Sequence, residues 1–194
     1  VAPYTSINTV LVRGTNIAAG SGTAGHVFLK RFNGDTGAPA NGTLLPNVMA
    51  EDLSNPGVFA SAIYDTAVGI RPVVASDFLN GAVLQNAAPT NTPTTAHFRV
   101  NPSVANPVPV IGASNRVSSL RFAPGGVLDY PGSVPGELRV GIIETEAGGA
   151  AASITNSGTG LLNLIGSSLY LLTGADLTVA AGLDITGNLS KNGA

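Results

Sequence analysis

From Leu161 to Ala194 the chain consists of short apolar runs, LLNLI, LYLL, DLTVA and LDITGNLS, broken by turns rich in Gly, Ser and Asn. Leu162 and Leu164 recur as Leu183 and Ile185, and Leu169 as Leu189, at a period of about twenty residues, within the range of solenoid repeats. A unit this short cannot bury its apolar face alone, so it must stack on the next. The segment carries almost no charge and no block with helical 3.6-residue spacing. The pattern therefore points to an extended, strand-built scaffold rather than a compact enzyme.

The same vocabulary reaches back to Thr95. AHFRV, PVPVIG, RVSSLRF, GVLDY, ELRVGIIE and ASIT follow one another across short turns. Leu120 and Phe122 are matched to Leu138 and Val140, and these to Leu162 and Leu164. The expected fold is all-β, with residues 95–194 as coils of a parallel β-helix. Short strands at similar spacing also suit a β-sandwich, and periodicity alone leaves that alternative open. Residues 1–94 are expected to be an irregular, β-rich segment. Within it INTVLVRGTNIA reads as two strands around a Gly turn, and HVFLKRF as another strand. MAEDLSNPG reads as one helical turn ended by Asn-Pro-Gly, and SAIYDTAVGIRPVVASDFLNGAVLQ as strand-like pieces without clean alternation. APTNTPTTA is a connector unsuited to a central strand.

Composition removes several function classes. Charged residues are 10% against about 25% in ordinary soluble domains, and 44% are hydrophobic, the reverse of the disordered signature. A net charge of −2 leaves no basic footprint for nucleic acid and no polybasic patch for membranes. With no cysteine there is no disulfide or thiolate metal site. VAPYTSINT lacks a charged stretch leading into an apolar one, so no signal peptide is expected. The longest apolar run, 161–172, is interrupted by Asn163, Gly166, Ser167 and Ser168, and a membrane helix needs about twenty residues. No membrane span is expected.

RVSSLRF, GGVLDY, GELRV, ASIT, GTGLLNL and DLTVAAGLDITGNLSKNGA together resemble bacterial proteins with autotransporter-associated β-strand repeats, including planctomycete-like examples. Three pieces carry the likeness: VSSLRF before a Gly turn, ELRV, and LDITGNLSKNGA, which is similar to the unit that ends each repeat. YDTAVGIRPV at 64–73 adds to it. The likeness covers about 112–194, and residues 1–60 contribute little. At Lys191-Asn192-Gly193-Ala194 the chain departs from the family, whose unit continues into another strand, so a piece of a longer polypeptide is expected. The resemblance implies a right-handed parallel β-helix, export, and cell-surface or fibre roles. It implies no catalytic residues.

Motifs that suggest chemistry each have a plainer reading. Gly20-Ser21-Gly22-Thr23-Ala24-Gly25 fits the dinucleotide pattern, but strand-like HVFLKRF follows where a helix is required, so a turn is expected. Glu144 and Glu146 lie two apart on a strand and share one face, an arrangement open to a glycosidase pair but more common as solvated carboxylates. Arg116, Arg121, Asp129, Glu137 and Arg139 are spaced to form an exposed ladder of ion pairs. His26 and His97 stand apart without a triad or ligand set, and Asp176 and Asp184 stand alone. Asn41-Gly42-Thr43 and Asn188-Leu189-Ser190 fit the glycosylation pattern, which is short and frequent. Tyr4, Tyr64, Tyr130 and Tyr170 are too dispersed for a sugar-stacking platform.

The leading expectation is a non-enzymatic structural or adhesive protein of the extracellular space or bacterial cell surface. It would assemble through strand edges into fibres or filaments. Leu162, Leu164, Leu177, Val179, Leu183, Ile185 and Leu189 are the expected stack, with Leu189 at a last coil that no charged or Pro-rich cap follows. Expected partners are further copies or repeats of the parent chain and cell-surface polysaccharide, with no cofactor, metal or nucleic acid. A virus or phage shell or fibre protein is the alternative, and a polysaccharide-degrading enzyme using Glu144 and Glu146 is a third reading.

Overall fold

Scarcity of helix formers and frequent Gly turns leave strands as the way to satisfy the backbone. The computed structural model describes residues 10–13, 25–32, 36–52, 59–79, 83–84, 97–101, 110–111, 114–166, 169–185 and 189–193. Among them every regular element is a strand except one 3-10 turn, Ala75–Asp77, and no helix is long and apolar enough to cross a membrane. The chain divides into two units, Val1–Asp77 and Phe78–Ala194.

The first unit is a four-stranded sheet in the order β1 (Val10–Val12), β2 (Thr43–Glu51), β3 (Phe59–Asp65) and β4 (Gly69–Pro72). The pair β1–β2 is parallel, and β2–β3 and β3–β4 are antiparallel. Pro46 lacks an N–H, and the β2–β3 register breaks across it, between Leu44 and Met49. The missing alternation in SAIYD has a physical cause: Ala60 to Tyr64 are buried without interruption, so β3 has no solvent face to encode.

Two expectations fail in this unit. Met49 to Glu51 belong to β2 rather than to a helical turn, and 53–58 lie outside the described residues. Among the described residues HVFLKRF forms only a single bridge, Val27 to Gly69; Leu29 and Phe32 pack on the core of this unit, while Val27 and Phe28 remain exposed. Gly69 is required there. Its φ is 82°, and a Cβ would lie 2.4 Å from the Val27 carbonyl oxygen.

Among the described residues of the second unit every strand pairing is parallel, unlike the antiparallel pairing of a β-sandwich. The strands are β5 (Phe78–Leu79), β6 (Val83–Leu84), β7 (His97–Val100), β8 (Val110–Ile111), β9 (Ser114–Phe122), β10 (Val127–Asp129), β11 (Gly136–Thr145) and β12 (Ala152–Thr155). They continue as β13 (Leu162–Gly166), β14 (Leu169–Thr173), β15 (Leu177–Val179), β16 (Gly182–Ile185) and β17 (Leu189–Gly193). One sheet runs β15-β12-β10-β8-β6. The other runs β16-β13-β11-β9-β7-β5, with β14 on β11 and β17 on β14. From β5 to β13 the strands alternate between these two sheets; β13 with β14, and β16 with β17, then follow one another within the second sheet, with β15 of the first between the two pairs.

Parallel register puts like residues on one side, so the interior is a set of columns. Phe98, Leu120, Ile143 and Leu171 form one, Leu138 and Leu164 another, and Leu128, Ile154 and Val179 a third. These residues belong to or pack on one apolar core. The expected register is corrected in three places. Leu120 and Phe122 face Ile143 and Thr145, not Leu138 and Val140; Leu138 faces Leu164; and Leu164 faces Leu183. A slip of two residues leaves the same side chains on the same face, so alternation cannot detect it. The larger shift arises because β9 and β11 are long strands whose buried side changes midway, between Val117 and Leu120 and between Val140 and Ile143. The expected pairing of Leu169 with Leu189 is the one observed.

The turns stack as closely as the strands. Gly160 N–H donates to the Gly132 carbonyl at 2.9 Å, and Gly158 N–H to the Tyr130 carbonyl at 3.1 Å. A Cβ on Gly160 would lie 2.0 Å from the Val134 carbonyl oxygen, whereas one on Gly37 would meet nothing within 4 Å. Tyr130, 1% exposed, fills the loop over which these turns lie and donates its hydroxyl to the Val134 carbonyl at 2.6 Å. Gly160→Ala is therefore expected to cost about 2–3 kcal/mol and Gly37→Ala less than about 0.5 kcal/mol, compared by urea unfolding followed by circular dichroism.

Candidate assembly edge

The columns end at β15, β16 and β17, each the last strand of its stack. Among the described residues no strand pairs with their outer edges, which carry a row of backbone N–H and C=O groups. Burial falls off toward this edge. Leu138 and Leu164 are each 0% exposed, while Leu183, next in their column, is 54% exposed. Leu189 is 51% exposed. Leu177, Val179 and Ile185 are partly buried against the core that includes Leu162 and Leu164. The residues named as the stack from sequence thus divide into an interior pair, a half-covered layer, and the exposed Leu183 and Leu189.

The column Phe98–Leu120–Ile143–Leu171 ends differently. Its next position is Lys191, which is exposed. A basic residue thus occupies an otherwise apolar column at the strand edge.

Behind the edge, the charged residues form separate pairs rather than one ladder. Glu144 accepts from Arg121 at 3.1 Å, and the Arg121 guanidinium lies 4.9 Å from the centre of the Phe78 ring. Glu146 is held by Arg99 through two contacts of 2.7 Å, which raises the Arg99 pKa through the carboxylate hydrogen bonds against the opposing effect of burial. Glu144 lies in β11 and Glu146 just past its end, and each is engaged by its own arginine. Arg139 pairs with Glu137 on the same strand at 3.4 Å, and Arg116 lies opposite Arg139 in register. Asp129 takes no arginine among its bonds. It accepts from the Thr155 hydroxyl at 2.7 Å, from Ser157 N–H at 3.0 Å and from the Ser157 hydroxyl. Burial acts to raise its pKa, but these donors outweigh it and hold the carboxyl below its usual range.

The histidines are far apart in role. His26 Nδ1 contacts the Val68 carbonyl at 2.9 Å and its ring stacks on Phe28, while buried His97 contacts the Ser119 hydroxyl at 2.7 Å. Asp176 and Asp184 are exposed. Asn41, from the first glycosylation pattern, accepts from Thr66 N–H at 3.0 Å. Asn188 lies outside the described residues, as do Tyr4 and all of the 20–25 glycine motif except exposed Gly25. Tyr64 and Tyr130 are core residues.

Sequence reasoning missed the most connected polar cluster, Asp65–Arg71–Asp77 in the first unit. Arg71 donates to Asp65 at 2.9 Å and to both oxygens of Asp77 at 2.6 and 2.8 Å, and Asp77 also accepts from Val74 N–H at 2.8 Å. The equal spacing of the acids about Arg71 was the only available signal. Its pairing with both acids, Asp77 first, raises the Arg71 pKa despite burial. It fixes the hairpin β3–β4 and the 3-10 turn that follows.

Comparison of the chain with family models, with curated proteins and with solved structures finds no match.

The Asp129 carboxyl gives a pH signature. Because its folded pKa is lowered, its contribution is complete above the unfolded value of about 3.9 and is lost as pH falls through the folded value. The stability gap between the wild type and Asp129→Asn should be constant above about pH 5 and shrink below about pH 4, measured by urea unfolding across that range.

Proposed function

We propose that residues 78–194 are successive coils of a right-handed parallel β-helix. We further propose that the protein is a structural or adhesive component of the extracellular space or cell surface, acting by contact rather than catalysis. The alternation of strands between two parallel sheets supports the coil reading, since a chain that returns to each sheet one strand further along winds around a common core. The resemblance to autotransporter-associated repeats supplies the handedness and the surface setting.

The observation that carries the assembly reading is the edge at 177–193, with its backbone row, exposed Leu183 and Leu189, and apolar columns awaiting another layer. A parallel strand laid on that edge would continue the ladder and cover both leucines. The incoming strand can belong to further repeats or to another chain. Repeated head-to-tail addition is heterologous and gives filaments rather than closed rings. Cell-surface polysaccharide is a second class of partner for the long lateral faces. The shell or fibre reading rests on composition alone, and a degradative activity has only Glu144 and Glu146 to offer, both already paired.

Electron microscopy of concentrated protein tests this directly. Filaments with strands stacked along the axis are expected, and Leu183→Asp together with Leu189→Asp should abolish them while leaving the circular dichroism of the chain unchanged. Isolated particles at every concentration, for wild type and variant alike, would overturn the assembly reading.

A further inference from the structure

We infer that His26, Phe28, Lys30 and Arg31 form a binding strip for an acidic polysaccharide, one whose sugars carry carboxylates. This rests on the polysaccharide partner of the surface reading, and places it on the first unit, independently of the edge at 177–193.

Charge singles this segment out. Arg13, Arg71, Arg99, Arg121 and Arg139 each pair with an aspartate or glutamate. Lys30 and Arg31, adjacent and both exposed, form no ion pair among the described residues. Yet the chain has 11 acidic residues against 9 lysines and arginines, so carboxylates are not scarce. Exposed rings lie beside the two cations. Phe28 is 50% exposed, and the His26 ring stacks on it with centroids 5.8 Å apart and planes 16° apart. The two rings flank Val27 in sequence and align into one flat face.

The strip is held from behind. Val27 bridges Gly69, Ile70 N–H donates to the Val27 carbonyl at 2.9 Å, and Leu29 and Phe32 pack on the core of this unit. A carbonyl can only accept, so His26 Nδ1 donates to the Val68 carbonyl, and Nε2 is left open to a sugar hydroxyl. Side chains fixed in this way lose little freedom when a ligand arrives. The negative faces of the rings suit the polarised C–H groups of a sugar. Arg31 offers a planar fork to a carboxylate and Lys30 a point charge, and both bonds are charge-assisted. A neutral glycan would engage the rings and leave both cations without a counter-charge. A nucleic acid is the poorer fit, because its affinity comes from many phosphate contacts and two cations in a chain of net charge −2 supply few.

Fluorescence anisotropy with fluorescein-labelled hexagalacturonate measures binding to the full chain. The comparison probes are its fully methyl-esterified form, which keeps the sugars and loses the charge, and a hexathymidylate oligonucleotide. Hexagalacturonate should bind about fivefold or more tightly than either. Phe28→Ala, and Lys30→Ala combined with Arg31→Ala, should each weaken it about fivefold or more, with circular dichroism unchanged. Arg139→Ala, which removes an exposed cation elsewhere, should leave binding as it is. Equal affinity for the ester, no binding of any probe, or an equal loss with Arg139→Ala would overturn the strip. Tighter binding of the oligonucleotide would overturn the glycan and make the strip a nucleic-acid site. Should a strip variant fail to fold, the ranking of the three probes on wild-type protein still decides. Filaments, scored by microscopy on the same preparations, report on the edge alone, so the two readings fail separately.

Discussion

In-register parallel pairing is the constraint on which the second unit depends. Once one strand lies directly on another, each side chain meets its counterpart in the layer above and below, and a column can hold only residues that tolerate that company. Leu138 over Leu164, and Leu128 over Ile154 over Val179, satisfy this with apolar contact. Thr145 satisfies it with a hydroxyl that donates to the Ala175 carbonyl at 2.8 Å and accepts from the Ala175 N–H at 2.9 Å, tying a strand end to the turn beyond the next strand. The columns also explain why exposure rises toward 177–193, since each added layer shields the one beneath it and the last layer has a neighbour on one side only.

The same rule governs the turns, where backbone rather than side chain is stacked. Gly125 N–H donates to the Ala150 carbonyl at 2.8 Å, and Ala152 N–H to the Asp176 carbonyl at 2.9 Å, so one corner of the chain sits directly on the next. Such contact leaves no room for a Cβ at Gly160, and Asp129 anchors the adjoining corner by accepting from Thr155 and Ser157. Low overall charge follows from this architecture, because most positions face another layer and charges survive where a partner lies within reach. Arg99 with Glu146 and Arg121 with Glu144 are such cases.

The edge at 177–193 combines exposed apolar residues with an exposed basic one. Leu183 and Leu189 offer apolar surface with a backbone ladder, while Lys191 occupies the column of Leu171.

All-β character, the strand positions from AHFRV onward and the apolar identity of the core were legible in the sequence. A two-residue alternation and turn residues at close spacing report directly on which backbone groups and faces are buried. The pairing of Leu169 with Leu189 was legible for the same reason. Register was not legible elsewhere, because Leu164 opposite Leu183 and Leu162 opposite Leu183 present the same faces and differ only in how far the turns reach. The Asp65–Arg71–Asp77 cluster was hidden because a hairpin and a 3-10 turn bring those side chains together, and no local pattern encodes that approach. The sequence by itself determined that the chain must form stacked strands; the tertiary structure decided which residues share a column, since that depends on the path of every turn between them.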